Sequence, residues 1–343
     1  MISRSPLSGG NRRRRIGRRW IPFDTKRRRR GSLAALALAL LAPAAVAGAL
    51  WLAFGRDDGG TSSGSVPLKG TPIGSESAGS LPPPESPAAV ASRGVDAFSI
   101  RFTPPPKAGL VFDVRTGEIL WRRNPARRLP VASLTKIMTA LLVAERTQSR
   151  ETVRITRAAL NYRGSGVGVL PRGKRVPVNG LLHGLLLVSG NDAAIALAGH
   201  ISGTERKFVR TMNRRARALG LSCTHYRTSY GLSALDRSCA ADLATLARLA
   251  MREKRIARIV RKRQAAVRFP VKGRRLFLTT TNPLLRTGYR GTIGLKTGFT
   301  NRAGRCLVAV VRRGRRTLGV VLLDSPDPNK QARKLLSRGF REG

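Results

Sequence analysis

Pro130-Val-Ala-Ser133-Leu-Thr-Lys136-Ile-Met-Thr-Ala-Leu-Leu142 is the stretch from which the fold can be read. The apolar run after Ser133 predicts a buried helix over 133–146, with Ser133 in its first turn. Residues three apart on a helix are neighbours, so Lys136 can reach the Ser133 hydroxyl. A serine hydroxyl attacks carbonyls poorly until a base takes its proton. A lysine amine is such a base only where burial or nearby cations keep it neutral. The helix N-terminus also favours negative charge. Taken alone, the pattern equally fits an N-cap serine followed by a lysine, and Thr204-Glu-Arg-Lys207 shows how readily such spacings arise.

Two further stretches give it meaning. Leu185-Leu-Leu-Val-Ser189-Gly-Asn191-Asp-Ala-Ala194 is a short polar break between apolar helical runs. Such a break is either a cap or a group of site residues: Ser189 can relay a proton toward a leaving amine, and Asn191 can hold a substrate amide. Thr292-Ile-Gly-Leu-Lys296-Thr-Gly298-Phe-Thr300 reads as a strand, with Gly298 letting an extended substrate lie close against it. Lys296 and Thr297 can grip a carboxylate by a charge-assisted hydrogen bond. The Ser-x-x-Lys, Ser-x-Asn and Lys-Thr-Gly patterns follow one another at intervals of 56 and 107 residues. In that order they form the signature of the penicillin-recognising serine enzymes.

The surrounding pattern mixes strand and helix. Leu110 to Val114 and Glu118 to Trp121 form an expected hairpin, and Cys306 to Val311 and Leu318 to Leu323 form a second one about Gly314. Helical patterns fill 133–146, 181–201, 205–219, 240–252 and 330–340. Strands at both ends with helices between imply an antiparallel sheet assembled from the two termini around a helical middle subdomain, an α/β (α+β) class.

With residues 108–124, 219–226, 281–285 and 303–309, the three motifs resemble the serine-type D-Ala-D-Ala carboxypeptidases, the low-molecular-mass penicillin-binding proteins. The resemblance covers about 108–340. It implies a domain like that of the serine β-lactamases and DD-peptidases, acting on the D-Ala-D-Ala end of peptidoglycan stem peptides and inhibited by β-lactams. Ser133 would form the acyl-enzyme, Lys136 accept its proton and Ser189 assist proton transfer. Asn191, Lys296, Thr297, Gly298 and Phe299 would bind substrate, with the backbone N–H groups of Ser133 and Phe299 as the oxyanion hole. No cofactor or metal is implied. Many relatives continue into a C-terminal β-domain with an amphipathic anchor. This sequence ends soon after Leu335-Leu-Ser-Arg-Gly-Phe340, and an N-terminal helix is expected to take over the tether.

A D,D-endopeptidase would use the same residues. A class A β-lactamase would need Ser-Asp-Asn and a deacylating carboxylate. Here the second motif is Ser189-Gly-Asn191, and no Glu-x-x-x-Asn lies between it and Lys296. A non-catalytic wall-binding protein is disfavoured by the intact nucleophile–base pair. His183, His200 and His225 lie in no nucleophile-elbow context, and there is neither a zinc-ligand spacing nor a His-Glu-x-x-His.

Net charge is +47 over 343 residues. Residues 1–31 hold 12 Lys or Arg and a single acid, Asp24, and residues 32–54 run 23 positions without a charge. As a helix, that stretch spans roughly 34 Å, enough to cross a bilayer core of about 30 Å. The basic block before it places 1–31 in the cytoplasm and the remainder outside, in a single-pass cell-membrane topology. Ala45-Val46-Ala47 offers an alternative, cleavage and secretion. The Gly/Ser/Pro-rich residues 55–107 read as a linker, leaving 108–343 as the catalytic domain. Outside the cell, a basic surface suits anionic wall polymers or lipid headgroups rather than nucleic acid. There, Cys223 and Cys239 can form a disulfide around a turn-rich stretch, with Cys306 left as core packing.

Overall fold

The structure, a computed structural model, describes residues 88–91 and 94–342. The arginine-rich tail 1–31, the expected membrane span 32–54 and the first part of the expected linker lie outside the described residues. Among the described residues no helix is long and apolar enough to cross a membrane.

The chain opens with β1 (Ala108–Asp113), β2 (Ile119–Arg123) and a short β3 (Leu129–Pro130). A 3-10 turn, Ala132–Thr135, leads into α1 (Lys136–Arg146). Next come β4 (Thr152–Arg154), α2 (Arg157–Leu160), β5 (Arg175–Pro177), α3 (Val178–Leu187), α4 (Asn191–Ser202) and α5 (Glu205–Ala218). They are followed by β6 (Arg237–Ser238), α6 (Ala240–Arg252), α7 (Lys254–Val260) and the ladder of β7 (Gln264–Arg268) and β8 (Arg275–Thr279). The chain closes with α8 (Pro283–Arg286), β9 (Thr292–Thr300), β10 (Gly304–Arg313), β11 (Arg316–Leu323) and α9 (Pro328–Glu342).

The main sheet has the order β2-β1-β11-β10-β9, and every pairing in it is antiparallel. β1 and β11, from opposite ends of the domain, are hydrogen-bonded from Ala108↔Leu323 to Asp113↔Leu318. Side chains alternate across a strand, so β1, β10 and β11 each feed two cores. Leu110, Phe112, Val308, Val310, Val321 and Leu323 face the helical subdomain. Val111, Leu307, Ala309, Leu318, Val320 and Leu322 face α9 through its Ala332, Leu335 and Leu336.

The polar break expected within 181–201 divides that stretch into α3 and α4, with Ser189 in a left-handed backbone, φ +63°, between them. One expectation is corrected: the domain starts before 108. Phe98 is buried in the outer core with Ile100 and Phe102 against it, and Ala97 N–H donates to the Leu120 carbonyl at 2.9 Å. The proline and glycine content of 55–107 conceals these alternating apolar residues. Arg248, itself buried, ties the entry segment down by donating to the carbonyls of Val114 (3.0 Å), Arg115 (3.1 Å) and Ala89.

Candidate active site

Ser133 lies in the 3-10 turn ahead of α1, not in the first turn of the helix itself. Ala132 before it is held at φ +48°, a backbone region that a non-glycine residue occupies only when its surroundings over-determine it. Those surroundings are visible. Val131 N–H donates to Asp236 O at 3.1 Å, and Leu134 N–H donates to Val131 O at 3.1 Å. Two glycines press on the turn from either side. A Cβ on Gly231 (φ +89°) would lie 1.9 Å from Ala132 O, and one on Gly298 would lie 2.9 Å from Val131 O and 3.2 Å from Ser133 N. Gly298 therefore lets β9 approach the Ser133 turn.

Lys136 opens α1 and is fully buried. Its Nζ is 2.9 Å from Ser133 Oγ, 2.7 Å from Asn191 Oδ1 and 2.7 Å from Tyr230 O. Burial, with the Lys296 cation adding to it, holds its pKa well below the usual lysine range against the opposing pull of Asp236 and Asp192. Asn191, the first residue of α4, donates from Nδ2 to Arg163 O at 2.6 Å, which fixes Oδ1 toward Lys136. Asp192, also buried, accepts from Val167 N and Gly168 N, both at 2.9 Å. The loop 163–168 is thereby fastened to the start of α4. Ser189 is buried, and its Oγ has no hydrogen-bond partner among the described residues.

β9 is the outer strand on this side of the sheet. Lys296 is buried and donates to Thr297 O at 2.9 Å, while Thr297 Oγ1 lies 2.8 Å from Thr281 Oγ1. Burial brings the Lys296 amine down to about 7. Phe299 projects an exposed side chain, 63% accessible. The structure thus brings Ser133, Lys136 and Asn191 into direct contact, and packs β9 against the Ser133 turn at Gly298.

Sequence reasoning missed Tyr230, Gly231 and Asp236. Buried Asp236 accepts from Arg227 N (2.7 Å), Thr228 N (2.9 Å), Thr228 Oγ1 (2.6 Å) and Ser233 N (3.1 Å). It so shapes the loop that presents Tyr230 O to Lys136. The available signal was Ser229-Tyr-Gly231 inside a turn-rich stretch bracketed by cysteines. Cys223 and Cys239 form a disulfide with Cα atoms 5.5 Å apart and close that same loop. Cys306 is free and buried. Among the described residues, the one group of potential metal ligands is Cys223, Cys239 and Asp242. Its sulfurs are joined to each other, and Asp242 accepts from Cys223 N and Thr224 Oγ1 at 2.9 and 2.7 Å.

A serine–lysine pair beneath a Ser-Gly-Asn bend, with a Lys-Thr-Gly strand at the sheet edge, defines the class of penicillin-recognising serine domains. The chain belongs to the D-alanyl-D-alanine carboxypeptidase family of S11 peptidases, whose profile matches residues 105–327. It is 32% identical over 245 residues to the D-alanyl-D-alanine carboxypeptidase DacF of Bacillus subtilis, spanning 69% of this chain but only 62% of that relative. It is also 32% identical to the D-alanyl-D-alanine endopeptidase of Pseudomonas aeruginosa, over 67% of this chain and 78% of the relative. Among solved structures it is similar to a DD-transpeptidase of Streptomyces, solved as a point mutant. The TM-score is 0.65 at 30% identity, covering 69% of this chain and 98% of that one.

Proposed function

We propose that this chain is a penicillin-sensitive serine-type D-alanyl-D-alanine carboxypeptidase that removes the terminal D-Ala from peptidoglycan stem peptides. The observation that carries the reading is the set of contacts at Lys136 Nζ. Tyr230 O and Asn191 Oδ1 can only accept hydrogen bonds. A neutral amine gives its two protons to them and turns its lone pair to the Ser133 hydroxyl, 2.9 Å away. Ser133 Oγ attacks the carbonyl carbon of the penultimate D-Ala as Lys136 takes the hydroxyl proton. The peptide C–N bond then breaks. The departing amine of the terminal D-Ala receives a proton through Ser189, whose hydroxyl has no other partner among the described residues. Water hydrolyses the Ser133 ester in a second, analogous step.

Asn191, Lys296, Thr297 and Gly298 place the substrate, with Lys296 as the cation for its terminal carboxylate. The N–H groups of Ser133 and Phe299 receive the oxyanion, each worth about 3–4 kcal/mol by comparison with other hydrolases. The positively flanked apolar stretch 32–54 tethers the domain at the outer face of the cell membrane, within reach of the wall. The family likeness supports β-lactams as inhibitors of Ser133.

The deciding experiment labels the protein with a fluorescent penicillin. Wild type acquires a covalent label and Ser133→Ala does not; label retained by the variant would overturn the nucleophile assignment. The endopeptidase name carried by one relative makes a cross-linked peptide dimer the second substrate to offer. Release of D-Ala from a stem pentapeptide, with the dimer left intact, supports the carboxypeptidase reading over the endopeptidase one.

A further inference from the structure

A second concavity of ≈800 Å³ lies between the β4–β5 ladder, the first turns of α3 and the β7–β8 hairpin. Ser133, Lys136, Ser189, Asn191 and Lys296 do not line it. Five cations do, Arg150, Arg175, Lys262, Arg268 and Arg274, and no aspartate or glutamate is among the lining residues. None of the five makes an ion pair among the described residues. Glu151, next in sequence to Arg150, is engaged elsewhere with His200 at 2.6 Å. Like charges gathered around a concavity repel, and low-dielectric walls focus their field outward.

One of the cations is held in place from beneath. His183 is buried, and its Nδ1 lies 2.7 Å from Asn179 O. A carbonyl only accepts, so Nδ1 carries the proton and Nε2 is left as an acceptor, 3.4 Å from Lys262 Nζ. A buried neutral imidazole thus orients an ammonium group at this concavity. Four of the five cations are arginines, whose planar guanidinium matches oxyanions bidentately. Apolar Val267, Phe269 and Pro270 complete the lining.

We infer that this cleft binds an anionic chain bearing phosphate or carboxylate groups, at a site separate from the catalytic serine. The cleft would hold the domain to a polyanion while Ser133 works on its own substrate.

The test is calorimetric titration of the full-length chain at 0.15 M salt with tripolyphosphate and, separately, with short poly-L-glutamate. The cleft variant is Arg175→Gln/Arg268→Gln/Arg274→Gln. The control, Arg206→Gln/Arg210→Gln/Arg217→Gln, removes the same charge from the exposed face of α5. Both must keep the wild-type melting temperature and penicillin labelling. The cleft variant should bind the preferred polyanion roughly tenfold more weakly, with a shallower salt dependence, and the control should change it less than about twofold. Preference for tripolyphosphate assigns phosphate as the ligand chemistry, and preference for poly-L-glutamate assigns carboxylate. Equal weakening in both variants, or no binding to wild type, overturns the site. Should the triple variant not fold, Lys262→Gln alone is read against Arg210→Gln, with roughly threefold weakening expected and an equal effect overturning the proposal.

Discussion

Lys136 has three partners and, as a neutral amine, only two protons to give, so in the proposed mechanism its charge state decides whether Ser133 can be activated. In the proposed mechanism Lys296 needs the opposite state, because there it meets the substrate carboxylate as a cation. The productive form has Lys136 neutral and Lys296 charged, and the profile of kcat/KM against pH should be bell-shaped. The acid limb belongs to Lys136, whose pKa burial has lowered. The alkaline limb falls as the free enzyme passes the Lys296 value of about 7. A bound carboxylate raises that value, so the alkaline limb should be weaker in kcat than in kcat/KM. A sigmoidal profile with no alkaline fall would contradict the role given to Lys296. Burying that amine also costs stability. Its folded pKa lies below the unfolded value near 10.4, so the unfolded chain binds more protons between pH 7 and 10 and this group's penalty shrinks as pH rises. Lys296→Met should therefore melt higher than wild type near pH 7, with the gap closing toward pH 10, while the proposed carboxypeptidase reading expects D-Ala release to be lost.

At the scale of elements, catalytic geometry comes from three segments converging on one strained turn. The Ala132–Thr135 turn is pressed between Gly298 of β9 and Gly231 of the Cys223–Cys239 loop. Gly231→Ala must accommodate a methyl where Ala132 O now lies and adopt a positive φ. The expected result is a loss of about 1–3 kcal/mol in denaturant unfolding together with slower penicillin acylation. A normal acylation rate in a destabilised variant would show that the turn does not depend on this contact. The loop itself depends on Asp236. Asp236→Ala leaves three backbone N–H groups and one hydroxyl without their acceptor, at about 1–3 kcal/mol for each group left buried and unpaired. Its acylation rate should fall through displacement of Tyr230 O. Sequence periodicity placed the five main helical regions and both hairpins. The polar residues Ser189-Gly-Asn191 marked the break between α3 and α4, but not its geometry, since a left-handed residue between two apolar helices has no periodic signature.

For the whole molecule, the sheet joins what the chain keeps farthest apart, with β1 paired to β11 and the helical subdomain inserted between them. Closing such long-range pairs is entropically expensive, and the Cys223–Cys239 bridge reduces that cost in one catalytic loop. Replacing both cysteines with alanine should lower stability by about 3 kcal/mol, read from the denaturant midpoint. Unchanged stability would show that hydrogen bonds already order the loop. Sequence alone determined the pairing of Ser133 with Lys136, the three motifs and their order, and the two-ended sheet, because these rest on local spacing and on which residues are apolar. Only tertiary structure decided that Ser133 lies before the helix rather than in it, that residues 94–107 pack on the domain, and that Tyr230 O is the third partner of Lys136. It alone gathered five cations around a second cleft. Each of these depends on contacts between segments distant in the chain, and one-dimensional patterns carry no distance across space.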